Sequence, residues 1–156
     1  MQICKISLSH LSEALTLVKE VYQEFDAPLY SEPGNQTFYH FISYDNISEM
    51  ISDGNIIFYG CYEESELVGV IAIRKINHIS LLFVKASHHR RGVARKLFEV
   101  AKMSCKEENK KKVGKPYITV NASPYAVEVY KKLGFSPLSE EQIKDGIRFT
   151  PMSYPL

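Results

Sequence analysis

Three strand-like runs follow one another almost without a gap: Ile56 to Glu63, Leu67 to Lys75 and His78 to Val84. Only Glu64-Ser65-Glu66 and Ile76-Asn77 separate them. Connections this short join antiparallel neighbours, so the runs predict a meander at the centre of a sheet. They are mostly apolar rather than alternating, so both faces of that sheet must be covered. With 45% hydrophobic and 24% charged residues the chain has the material for such a cover. Its 156 residues fit one domain, read here as spanning 1–156, with a core that needs no staples.

The flanking segments supply the cover. Gln2 to Leu8 alternates and predicts a first strand. Ser9 is a candidate N-cap for a helix whose apolar face holds Leu11, Leu15, Val18, Tyr22 and Phe25. Asp26 to Asn35 is turn-rich, and Pro28, Pro33 and Gly34 are expected to break any helix there. Helical stretches are expected over Thr37 to Tyr44 and after Asn46, where Glu49 three residues on resembles a capping arrangement. Asp53-Gly54-Asn55 ends the second. After the meander, Gly92 to about Asn109 predicts a long helix with Ala94, Leu97, Phe98, Ala101 and Cys105 on one face, stopped by Gly114 and Pro116. Tyr117 to Asn121 predicts a strand. Ser123-Pro124 opens a helix that Gly134 closes. Phe135 to Leu138 and Ile147 to Pro151 are candidate final strands. The fold class is a layered α/β domain with a mixed, mostly antiparallel sheet and helices on both faces.

Several function classes are disfavoured by composition. The formal charge is +1, so any ionic recognition is local. The lysines between Lys102 and Lys115 alternate with Glu107 and Glu108 and lack interleaved aromatics, which fits a solvated helix face and no nucleic acid. Cys4, Cys61 and Cys105 are an odd, widely spaced set without a CxxC, so no disulfide framework or metal site is expected. Cys4 and Cys61 fall in apolar runs and are expected to be buried. No run is long enough for a signal peptide or a membrane span. The expectation is a soluble cytoplasmic protein, with a homodimer left open.

The stretch that carries chemistry is "LLFVKASHHRRGVARKLFEVA", a strand, a basic loop, a glycine and a helix. A helix start offers backbone N–H groups without internal partners, and its dipole adds positive potential. A glycine at the entry allows close approach of a bulky anion, so the segment can hold a phosphate. Taken alone it fits a solvated, positively capped helix equally well. It has neither the GxxxxGK[ST] of a P-loop nor GxGxxG.

A second segment, "ITVNASPYAVEVYKKLGF" at 118 to 135, makes the pair specific. Together the two resemble the GNAT superfamily of acetyl-CoA-dependent N-acetyltransferases, whose signature is [QR]-x-x-G-x-[GA] at a strand-to-helix junction. His89-Arg90-Arg91-Gly92-Val93-Ala94 occupies that motif, and Asn121, Ala126, Tyr130 and Leu133-Gly134-Phe135 occupy a later one. The order of predicted elements resembles the family fold over nearly the whole chain. His89 departs from the usual Gln or Arg, which puts a side-chain contact with the cofactor in doubt there. It also opens pH-dependent cofactor affinity as an expectation.

The resemblance implies roles for particular residues. Acetyl-CoA would be the acyl donor, with no metal, and the acceptor a small amine, an amino acid or a peptide N-terminus. The pyrophosphate would sit on the N–H groups of Arg90 to Arg95, with Gly92 permitting the approach and Arg90 or Arg91 reaching a ribose phosphate. Leu82, Phe83 and Val84 would pair with the pantetheine amides, as a strand added to a sheet edge. The Val84 N–H is a candidate oxyanion donor. Tyr130 is the candidate proton donor to the leaving thiolate, and Asn121 would hold the cofactor or a water.

The general base stays unassigned. No Asp or Glu lies between Leu67 and Arg95, and the candidates are His78, Glu24 or a water chain. Tyr22, Phe25, Tyr30, Phe38, Tyr39, Phe41 and Tyr44 fall where the family covers its acceptor site, and the tail "GIRFTPMSY" would face them. Most of these rings are expected simply to pack on the sheet, with Tyr30 the best exception. The missing base keeps a second class in play, a non-catalytic acyl-CoA-binding sensor or partner module.

Overall fold

The computed structural model describes residues 1–111 and 116–156. Gly114, expected to help stop the long helix, lies outside the described residues. The meander is as the sequence predicts: β2 (Ile56–Glu63), β3 (Glu66–Arg74) and β4 (His78–Val84) follow β1 (Gln2–Lys5). Glu64 and Ser65 both have positive φ, 50° and 71°, the conformation of a tight two-residue hairpin turn. The sheet order is β1-β2-β3-β4-β5-β8-β6, where β5 is Tyr117–Ala122, β6 is Ser136–Pro137 and β8 is Ile147–Pro155. β7 (Gln142–Lys144) pairs with β8 alone. All neighbours are antiparallel except β4 and β5.

Period-two alternation divides β3 between two cores. Ile71 and Ile73 pack with Leu97, Phe98 and Ala101 of α4 (Val93–Lys111). Val70 and Ala72 pack with Leu15 and Val18 of α1 (Leu11–Phe25). Helices therefore lie on both faces, and each fully buried Leu, Ile or Phe contributes about 1.5–3 kcal/mol. Cys61 and Cys105 are buried, but Cys4 is exposed, because β1 is an edge strand.

Local differences from the sequence reading have local causes. A 3-10 turn at Leu8–His10 leads into α1, and the Ser9 hydroxyl bonds to Ser7 and His10 instead of capping. The second helix, α2 (Glu32–Phe41), begins within the segment expected to be turns. Ser31 caps it by accepting from the Gly34 N–H at 3.3 Å, and Pro33 sits in the first turn, where its missing N–H costs nothing. Gly34 is required there because a Cβ would collide with the Gly146 carbonyl. The next helix, α3 (Tyr44–Ser52), is capped by Ser43, while the Asn46 side chain donates to the Phe41 carbonyl. Ser123 organises the turn that enters α5 (Val127–Leu133), and Gly134 ends that helix at φ 110°.

One irregularity positions everything that follows. β4 and β5 pair only at His78↔Thr119 and Ile79↔Val120. Ser80 is an extra residue, since Ala72 pairs with Leu81 and Ile73 with Ile79. Such a bulge bends its strand. Beyond it β4 leaves β5, and its edge from Ser80 to Val84 is open.

Candidate active site

A cleft of about 970 Å³ runs through the sheet at this parting. Its walls come from α1 and α2 on one face and from α4 and α5 on the other. Leu82, Phe83, Val84, His89, Arg90, Gly92, Val93, Ala94, Arg95, Asn121, Ala126 and Tyr130 all line it. Residues of the two sequence motifs thus meet on one wall, because the crossover through α4 sets β5 beside β4.

The four basic residues of the loop go separate ways. His88 and Arg91 turn back to the Glu63 carboxylate at 3.6 and 3.1 Å. Arg91 does not line the cleft, and its guanidinium is engaged by Glu63. His89 Nε2 donates to the Val84 carbonyl at 2.7 Å and pins the loop to the strand it leaves. Its ring also packs on Phe25. Arg90 alone of the four is exposed, lines the cleft and makes no ion pair among the described residues. Arg95 donates to the Lys132 carbonyl at 3.0 Å and ties α4 to α5.

The backbone carries the stronger signal. Arg90 and Gly92 both have positive φ, 61° and 81°. A Cβ on Gly92 would meet nothing within 4 Å, so packing does not demand glycine there. The conformation does, and the space beside it is open. The first helical bond runs from the Lys96 N–H to the Gly92 carbonyl, which leaves the preceding N–H groups free for an anion.

Along β4, the Lys85 N–H donates to the Val68 carbonyl at 2.9 Å. Bonded and non-bonded pairs alternate on an antiparallel ladder, so Phe83 and Lys85 bond toward β3. Leu82 and Val84 therefore turn their N–H groups to the open edge. Asn121 ends in the cleft without a side-chain bond among the described residues. Tyr130 is 4% exposed, burial pushes its phenol above the usual range, and its hydroxyl has no partner among the described residues.

The opposite arm is aromatic. Tyr22 stacks on Phe38 at 3.8 Å between centroids, and Phe25 stacks on Tyr125 at 4.8 Å. Tyr30 donates to the Arg148 carbonyl at 3.1 Å and Tyr22 to Asn35 Oδ1 at 2.8 Å. Phe41, Ile147 and Phe149 also line this arm, whereas Tyr39 and Tyr44 do not. Of the base candidates, Glu24 is exposed and outside the cleft. His78 lines it with Nδ1 bonded to Thr119 at 2.8 Å, and burial, then Arg74 and Lys75, push its imidazole down to about 4.

The residue that sequence reasoning missed is Asp26. It lies at the C-terminal cap of α1, 6% exposed, on the cleft wall. The Ser123 hydroxyl donates to its Oδ1 at 3.1 Å, and burial pushes the carboxyl up to about 6 despite that bond. A carboxylate at the negative end of a helix dipole is locally the wrong residue, and that mismatch is the signal the sequence offered.

The family model for the acetyltransferase (GNAT) domain matches residues 26–156. Among curated proteins, none matches the chain in sequence. The fold is similar to that of a GCN5-related N-acetyltransferase from Rhodopseudomonas palustris, with a TM-score of 0.82 and 17% identity over 99% of this chain and 95% of that one. It is also similar to the PaiA N-acetyltransferase of Thermoplasma acidophilum in complex with coenzyme A, at 0.78 and 19% over 99% and 98%. A ribosomal-protein-alanine N-acetyltransferase from Brucella melitensis gives 0.69 and 16% over the full length of both chains. At such identities the likeness is one of fold, and it is the match to the family over most of the sequence that settles membership: the chain belongs to the GNAT acetyltransferases.

Proposed function

We propose that the chain transfers the acetyl group of acetyl-CoA to a primary amine by direct attack, with both substrates held in the cleft. The observation that carries this reading is the passage through the sheet. It joins a helix start and an open strand edge on one side to an aromatic pocket on the other. Two ligands entering from opposite faces would meet where β4 leaves β5. None of the three cysteines lines the cleft, which supports direct transfer over an acyl-cysteine route.

The residues fit a CoA-type donor. The backbone N–H groups after Gly92 suit the pyrophosphate, and Arg90 is placed to add charge. The β4 edge suits the pantetheine amides. Bound acetyl-CoA supplies a thioester whose carbonyl the amine attacks and whose C–S bond breaks. Val84 is the last residue of β4 and lies nearest the loop leading to Gly92, so an extended pantetheine carries the thioester further along, toward the bulge. Leu82, whose N–H faces the same way, therefore suits the oxyanion better than Val84, the donor expected from sequence. Tyr130 holds a proton at its Oη and delivers it to the leaving sulfur. Asn121 orients the donor or a water beside it.

The test is calorimetric titration with acetyl-CoA, followed by thiol release across alkylamines, polyamines, amino acids and peptides. Binding together with amine-dependent release supports the reading. Tight binding without release on any amine would instead make the chain a CoA-binding module.

A further inference from the structure

We infer that Asp26 is the seat of the acceptor's ammonium group and the base that takes its proton, so the acceptor enters as a cationic primary amine. This rests on the transfer reaction proposed above. Asp26 is more than nine-tenths buried, yet among the described residues no Lys, Arg or His forms an ion pair with it. One carboxylate oxygen is held by Ser123, which fixes its direction, and the other is left to the cleft. A buried carboxylate without a counter-charge is costly unless a ligand provides one.

The surroundings agree. The phenols of Tyr22 on α1, Tyr30 in the following loop, Tyr125 before α5 and Tyr130 on α5 all feel the Asp26 charge. Glu141 and Arg148, from the β7–β8 region, act on Tyr30, and Glu24 and Arg90 act on Tyr125. His89 faces the site through Phe25. Aromatic faces around a carboxylate suit an organic cation. Asp26 and Tyr130 both line the cleft, and the Asp26 charge reaches the Tyr130 phenol, so the proposed proton acceptor and donor share one site. Burial keeps the carboxyl near 6, close to a working pH, where a base is most effective. His78, pushed down to about 4, is the weaker acceptor.

The protons balance. Asp26 takes one from the ammonium and frees the amine's electron pair. The nitrogen then forms its C–N bond as the C–S bond breaks. Tyr130 gives a proton to the sulfur, the new amide nitrogen loses its second proton to Tyr130, and Asp26 releases the first to water.

The chain has four aspartates, so selective ¹³Cγ labelling resolves them. With CoA bound, one resonance should titrate near 6 and vanish in Asp26→Asn. Saturating phenethylammonium should move that titration toward the ordinary carboxylate range in wild type. In turnover, Asp26→Asn should lower kcat/KM for an accepted amine by about 10²–10³-fold and erase the inflection near 6, with acetyl-CoA affinity held within about threefold. A titration that phenethylammonium leaves unmoved, or an inflection that survives in Asp26→Asn, overturns the assignment. Failure of the wild type to turn over any amine strikes the transfer reading instead, while the labelled titration still decides whether Asp26 seats a cation.

Discussion

The two arms of the cleft are built by opposite means. The arm proposed for the cofactor is local: a strand, a loop, a glycine and a helix within one continuous stretch, offering chiefly backbone N–H groups. The arm proposed for the acceptor is assembled from distant parts, with Asp26 held by Ser123, Tyr30 by Arg148 and Gly34 against Gly146. A backbone device should tolerate changes in side chain, such as His89 in place of the family's usual Gln or Arg. A side-chain device has no such tolerance, so variants that spare one arm and damage the other separate the two.

The largest separation is expected from Tyr130→Phe. Its hydroxyl has no protein partner among the described residues, so stability should hold while kcat falls about 10²-fold or more and acetyl-CoA binding stays. Calorimetry beside thiol release checks both halves, and unchanged turnover would remove Tyr130 from the chemistry. Next comes the stability cost of Asp26. Its folded carboxyl is raised from 3.8 to about 6, so the folded state holds the proton more tightly than the unfolded chain. The destabilisation is absent below about 3.8 and complete above about 6, of order ~3 kcal/mol. Asp26→Asn should therefore raise Tm at pH 8 and match wild type at pH 4, as denaturation at both pH values would show. Equal Tm at pH 8 would mean the carboxylate is already compensated.

Smaller still is Gly34→Ala. The added methyl must push α2 away from the Gly146 carbonyl, at a cost of about 1–3 kcal/mol. Amine KM should rise while acetyl-CoA affinity stays, and loss of both would mean the arms are not separable. The smallest effect is expected from Arg91→Ala. Its exposed contact with Glu63 is worth little, so acetyl-CoA affinity should change less than about twofold, against a larger loss for Arg90→Ala.

The same contrast governs what the sequence could reveal. The meander was legible because each turn is closed by its own neighbours, and the strand–loop–helix junction at Gly92 because its parts are adjacent in the chain. α2 was misplaced because Pro33 and Gly34 look like breakers until Ser31 is seen as the cap. Gly34 makes sense only beside Gly146, which no periodicity places there. Asp26 looked like a turn residue in "FDAPLY", since its burial and its partner Ser123 come from the tertiary fold. His89 departs from the family motif, and only the structure shows it bonded to Val84.

The central claim is that the backbone around Gly92, more than the charge beside it, holds the donor. Calorimetric titration of acetyl-CoA into wild type, Gly92→Val and Arg90→Ala tests it. A β-branched residue at φ 81° is strained by about 1–3 kcal/mol and narrows the approach. The predicted result is a loss of tenfold or more for Gly92→Val and a smaller one for Arg90→Ala. Wild-type affinity in Gly92→Val, or a greater loss in Arg90→Ala, would contradict it.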